Sequence, residues 1–297
     1  MQKKNTIEKV TFEPFVSQKL SVKKLAKNCG VIIDPDSDSD LLQKVYATLW
    51  NEKYLSPCMN GKKIQGETLN SANTTLGKFY SLAEKAEVED TEKNRARHKK
   101  NKEERERINK ELVKKQGTSI MYILCRYFQN VDNIAFLKDT EYEKFVRLYH
   151  TLGNFMPVPW ACNGPRGTGP LQDYWDLTLL NVYFYYTDDN CSKCECIKRI
   201  LGNRKKQLIE RYKMWLDSFG KGEYGWGNFI NNNFQKAFVD ENTLFPKEMW
   251  NEHFVKYKEN GIVNPATAEQ CKEYFENASE CIEKRTTHMI EALQRSI

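Results

Sequence analysis

The chain has 297 residues and a net charge of +6, with 40% of its residues apolar, 29% charged and 12% aromatic. That length can hold a sizeable core, the aromatic share excludes disorder as the overall state, and no run approaches the roughly 18 apolar residues of a membrane helix. Behind Lys3 and Lys4 there is no apolar segment of the secretory type, so the chain is read as cytoplasmic and without a membrane contact. The nine cysteines agree with a reducing compartment: their number is odd and six stand singly, at Cys29, Cys58, Cys125, Cys162, Cys271 and Cys281.

In chain order, Ser21 caps an expected short helix through Lys27, ended by Gly30. The turn-forming run from Asp34 to Asp40 precedes a helical stripe of Leu41, Leu42, Val45, Leu49 and Trp50. Pro57 and the Asn60-Gly61 pair mark a loop with the signature of a hairpin turn. A second helix is expected over Ser71–Ala86. Residues 1–90 form an N-terminal helical part on this reading.

Residues 91–117 differ in kind. Between Lys93 and Lys115 eleven Lys or Arg face four Glu, a surplus of seven, so the rest of the chain sums to −1. The segment is rich in helix formers but lacks an apolar stripe, which predicts an exposed helix or insertion. Arg95, Arg97, Lys99, Lys100, Lys102, Arg105 and Arg107 are its candidate contacts to phosphates or to an acidic protein surface.

Residues 118–297 form the main helical body, continuous with 1–90. Apolar stripes run through Ile120–Phe128 and Tyr142–Leu152, and a helix apolar nearly all round is expected to begin near Leu171. Further helices are expected near Gly202–Ser218, Glu223–Val239, Pro246–Tyr257 and Ala266–Arg295, with Pro246 as a first-turn proline. In the last, Tyr274, Phe275, Ala278, Ile282, Met289 and Leu293 face inward. The glycine-aromatic stretch Gly220–Phe229 reads as a turn between helices with Trp226 buried. No stretch sustains period-2 alternation, so the fold class is all-α: a single large helical domain with a charged insertion and a Pro/Gly-rich central loop.

That central loop, within His150–Leu180, holds four prolines, four glycines and two tryptophans, a composition that imposes a defined backbone shape. Its polar side chains His150, Asn154, Asn163, Arg166, Asp173 and Asp176 are the candidate binding residues, the alternative being an architectural loop that Asn163 and Arg166 tie to the core by hydrogen bonds. His150 is placed at a helix C-terminus, where Gly153 or Asn154 would supply a left-handed cap. The run His-Thr-Leu-Gly-Asn-Phe, then Pro157, Pro159, Asn163, Pro165-Arg166-Gly167 and Asp173-Tyr174-Trp175-Asp176-Leu177, resembles a segment of a family of uncharacterised intracellular bacterial proteins. Pro246–Trp250 shares the resemblance more weakly. It implies no activity, though such a family suits phage defence or counter-defence.

A looser similarity links Leu152, Gly153, Asn154, Phe155 and Asn163 to HNH-type nuclease modules. It implies a metal-dependent nuclease or phosphodiesterase centred on His150, Asn163 and Asp176. Such modules need an Asp-His pair and a general base ahead of this element, and the one histidine upstream of His150 is His98, inside the basic run. Cys191, Cys194 and Cys196 form a C-x2-C-x-C that could hold zinc with a fourth ligand from Cys162, His150 or His253; no other cofactor is expected. Arg285 and His288 lie one turn apart, short of the spacing in helical ribonucleases, and are assigned no site. The expected function is therefore a non-enzymatic binding protein acting on a nucleic acid or on a complex that handles one. The nuclease is the alternative.

Overall fold

A computed structural model describes residues 40–64, 66–70, 141, 144, 145, 148, 151–172 and 174–296. The helices expected at Ser21–Lys27 and Ser71–Ala86, the charged segment with its seven candidate contacts, the Ile120–Phe128 stripe, His150 and Asp173 lie outside the described residues. Of the described residues 63% are helical, in nine helices, with two small antiparallel sheets. The all-α expectation holds in its broad form and, beyond the hairpin marked by Asn60-Gly61, misses the strands. Each is two or three residues long, too short for alternation to register.

Helix α1 (Asp40–Leu49) buries Val45 and Tyr46, with Trp50 buried just behind it. Asn51 caps α2 (Glu52–Leu55) by accepting from the Lys53 amide. Strands β1 (Met59–Asn60) and β2 (Lys63–Ile64) form the expected hairpin, and Gly61 takes the left-handed φ of 64° its turn requires. The Gln43 amide clamps β2 from α1, donating to the Ile64 carbonyl and accepting from its N–H. Strand β3 (Gly66–Thr68) pairs with β4 (Phe155–Pro157) in the register Glu67 to Met156, joining chain segments nearly ninety residues apart.

Between the preceding helical residues and β4, Leu152–Asn154 make one 3-10 turn. Neither Gly153 nor Asn154 is left-handed, so the expected αL cap is replaced by this turn. Helix α3 (Asn163–Gly167) follows, and the central helix α4 (Trp175–Thr187) starts at Trp175 rather than near Leu171. Ten of its residues are buried, on every side, as its apolar circumference predicts.

Helix α5 (Lys193–Leu201) was not expected; it buries Cys196, Ile197, Ile200 and Leu201 and ends at Gly202. Helix α6 (Lys206–Asp217) lies within its expected range. The glycine-aromatic stretch forms helix α7 (Gly222–Asn232) instead of a turn, with Trp226 buried and its indole N–H on the Leu244 carbonyl. Phe234, at φ 56°, stops α7 short of the expected Val239.

Pro246 does not open a helix. Asp240 accepts from the amides of Asn242 and Thr243, building a turn that sets Pro246 in a bridge against Val239. The next helix, α8 (His253–Asn260), begins seven residues later. Helix α9 (Ala268–Ser296) turns Tyr274, Phe275, Ala278, Ile282 and Met289 fully inward, as its periodicity predicts, with Leu293 close behind. One contiguous apolar core takes residues from both ends of the described chain, from Val45 to Leu293.

Helix α9 passes so close to the 3-10 turn that a Cβ on Gly153 would sit 1.9 Å from Thr286 Oγ1 and 3.1 Å from the Ile282 carbonyl. Gly153→Ala should therefore lower stability by about 1–3 kcal/mol through overpacking. Adding Thr286→Ala, which removes the nearest atom, should recover most of that loss in urea denaturation. Equal destabilisation with and without Thr286→Ala would show that the helix simply moves aside.

Candidate nucleic-acid interface

Among the described side chains of the candidate residues, Asn154, Arg166 and Asp176 divide between two buried assemblies. In the first, Asn154 accepts from both the backbone and side-chain N–H of Asn70, and donates back to the Asn70 carbonyl. Arg166, on α3, approaches the Glu67 carboxylate at 2.9 Å and donates to the Thr68 carbonyl, with both charged side chains at most 2% exposed. Its guanidinium also lies 5.4 Å from the Trp175 ring centroid. Burial pushes the Glu67 carboxyl up, against the opposing pull of Arg166. Burial likewise raises the neighbouring thiols of Cys58 and Cys162 and the Tyr212 phenol.

A chain of hydrogen bonds continues from there. Trp175 Nε1 donates to Gln235, Gln235 to the Asn233 carbonyl, and Trp50 Nε1 to the Asn233 side chain. Arg285 of α9 closes the network. Its fully buried guanidinium donates to the carbonyls of Leu152, Gly153, Phe155 and Asn233. Burial pulls its pKa down to about 9, so it remains charged at neutral pH. Sequence reasoning gave this residue no role. Its signal was a cation in the inward stripe, three residues past Ile282 and four before Met289.

Asp176 belongs to the second assembly. Its Oδ2 lies 2.6 Å from His253 Nδ1 and accepts from the Met249 amide, while its Oδ1 accepts from Leu177. His253 Nε2 faces the Val263 carbonyl at 3.1 Å, and the ring stacks on Trp250. Asp176 and His253 have no exposed side-chain surface, so the pair ties the start of α4 to the start of α8 and presents no reactive group to solvent.

Asn163 opens α3. Cys191 precedes α5, and Cys194 and Cys196 lie on it; burial pushes the Cys196 thiol up to about 12. Two of the proposed fourth ligands are engaged elsewhere, Cys162 beside Cys58 and His253 on Asp176. Among the described residues no three of His, Cys, Asp and Glu converge as metal ligands. Seven described cysteines are free thiols.

Among the described residues of the central block, Trp160 is the large apolar side chain that stands exposed, at 40%, behind Pro159. Arg211 of α6 holds it: the guanidinium lies 5.1 Å from the ring centroid and donates to the Trp160 carbonyl at 3.0 Å. Between this loop and the start of α6 is a cavity of about 470 Å3, bordered by Arg204, Lys205 and Gln207. A second, of about 670 Å3, shares Gln207 and Arg211 and extends past Lys206 and Glu210 to Met59 and Met214.

Four cations and one carboxylate line the two cavities. None of Arg204, Lys205, Lys206 and Arg211 has a carboxylate partner among the described residues. Three of them crowd the N-terminus of α6, where the helix dipole disfavours positive charge and no side chain caps the helix. An anion at this surface would relieve that mismatch.

Beside β4 stands β3, which carries Glu67, and the counter-charge next to that carboxylate is Arg166. No protein-family profile, curated protein or solved structure matches this chain. Among the described residues no helix is long and apolar enough to cross a membrane.

Proposed function

We propose that the protein is a non-enzymatic, cytoplasmic nucleic-acid-binding protein. The observation that carries this reading is the group of four cations, unpaired with any described carboxylate, around the start of α6. Such a group attracts polyanions, and each phosphate it neutralises releases condensed counterions. The surplus of seven positive charges between Lys93 and Lys115 adds long-range steering towards the same class of partner. The central block acts as framework: its Asn154, Arg166 and Asp176 are buried and engaged by the protein itself. The resemblance to bacterial intracellular proteins fits a protein that docks on nucleic acid or on machinery bound to it.

The test is fluorescence anisotropy with labelled oligonucleotides over a salt series. Lys205→Glu/Lys206→Glu should weaken binding and reduce the slope of log K against log salt by roughly 2, about one for each phosphate no longer neutralised. Neutralising Lys99, Lys100, Lys102 and Arg105 should flatten the slope further. Wild-type protein that binds no oligonucleotide even at low salt would sink the reading. So would cleavage of the probe in Mg²⁺, which would restore the nuclease.

A further inference from the structure

We infer that the groove between the Trp160 loop and α6 binds a single nucleic-acid strand, with a base stacked on the Trp160 indole. This rests on the nucleic-acid reading above and narrows it to one class of ligand and one site. An indole that is 40% exposed costs hydrophobic free energy unless something covers it. This one is held out of the core by construction. Pro159 precedes it, Ala161 behind it takes a φ of 67° that side chains with a Cβ adopt only under strain, and Arg211 fixes both its ring and its carbonyl. A side chain positioned by three independent constraints is pre-organised to receive a ligand face.

The surroundings say which ligand. Nucleic acid alternates flat π-faces with phosphates, and the groove alternates likewise: the indole, then the cations Arg204, Lys205 and Lys206. Gln207, which lines both cavities, can donate to and accept from a base edge. Beyond it the exposed thioethers of Met59 and Met214, beside Glu210, suit a second base better than a second phosphate. In a duplex the π-faces lie against each other and only edges and phosphates are available. An indole set in a concave groove meets a base face only where the strand is unpaired.

The experiment uses the full chain with labelled oligothymidine, oligouridine and a hairpin duplex of matched charge. The wild type should bind one or both single strands more tightly than the duplex, and the two arms separate DNA from RNA. Trp160→Ala should weaken single-strand binding roughly 10- to 100-fold, as expected when one base is deprived of its stacking platform. Its duplex affinity should fall less than its single-strand affinity, because the cations of the groove remain, and Trp160→Phe should retain most of the affinity. Thermal melting checks that each variant is folded. Unchanged single-strand binding in folded Trp160→Ala, or a wild-type preference for the duplex, would overturn the inference and leave the broader reading standing. A wild type that binds none of the three probes would overturn both.

Discussion

Arg285→Met should destabilise the protein by about 4 kcal/mol or more, a large part of the ~5–15 kcal/mol that holds a typical domain together. Methionine keeps the apolar stem and most of the volume but offers no donor. The carbonyls of Leu152, Gly153, Phe155 and Asn233 would then be deprived of the guanidinium that serves all four. Hydrogen bonds to a charged donor contribute about 1.5–3 kcal/mol each, and buried groups left unmade lose their hydration without compensation. Arg285→Lys should fall between wild type and Arg285→Met, because one ammonium has three donors on a single atom and cannot span the fork that guanidinium does. Urea denaturation should rank the three in that order. A midpoint for Arg285→Met equal to that of wild type would mean that water replaces the guanidinium at no cost. Arg285 would then not be what seats the 3-10 turn.

The features legible in the sequence were those with long periodicity. Helix α9 repeats its apolar face over 29 residues, and α4 is apolar on every side, so each announces its burial without knowledge of partners. The β3–β4 sheet could not be read, because the pairing of Glu67 with Met156 is set by which distant segments meet, not by any local pattern. The candidate site suffered in the same way. Polar residues in the central block stand out in the sequence, but whether Asn154, Arg166 and Asp176 face solvent depends on Asn70, Glu67 and His253, which stand 84, 99 and 77 residues away. The cations at Arg204, Lys205 and Lys206 escaped notice for another reason. Outside the Lys93–Lys115 run the net charge is −1, and a sum over a whole chain conceals a local cluster balanced by carboxylates on other faces.

The pair Glu67–Arg166 carries the second large expected effect, and its pH dependence separates it from simple loss of packing. Arg166→Met leaves a carboxylate buried without its cation, an arrangement that costs about 3–5 kcal/mol. In the wild type, burial already raises the Glu67 carboxyl above 4.5, and Arg166 is what pulls it down. Without Arg166 the folded value must rise further, so the folded variant holds a proton that the unfolded chain has released. Stability linked to such a group is fully present below the unfolded value and falls as pH climbs through the folded one. The deficit of Arg166→Met relative to wild type should therefore be smaller at about pH 5 than at about pH 8. In Glu67→Leu/Arg166→Met no charge is buried. The double variant should recover about 2 kcal/mol of the loss at neutral pH and show no such pH dependence, with the Thr68 carbonyl still lacking its donor. If the single and double variants unfold at the same midpoint at every pH, the ion pair is not what stabilises the junction of β3 and α3. The packing of Arg166 against Trp175 would then be the interaction that holds it.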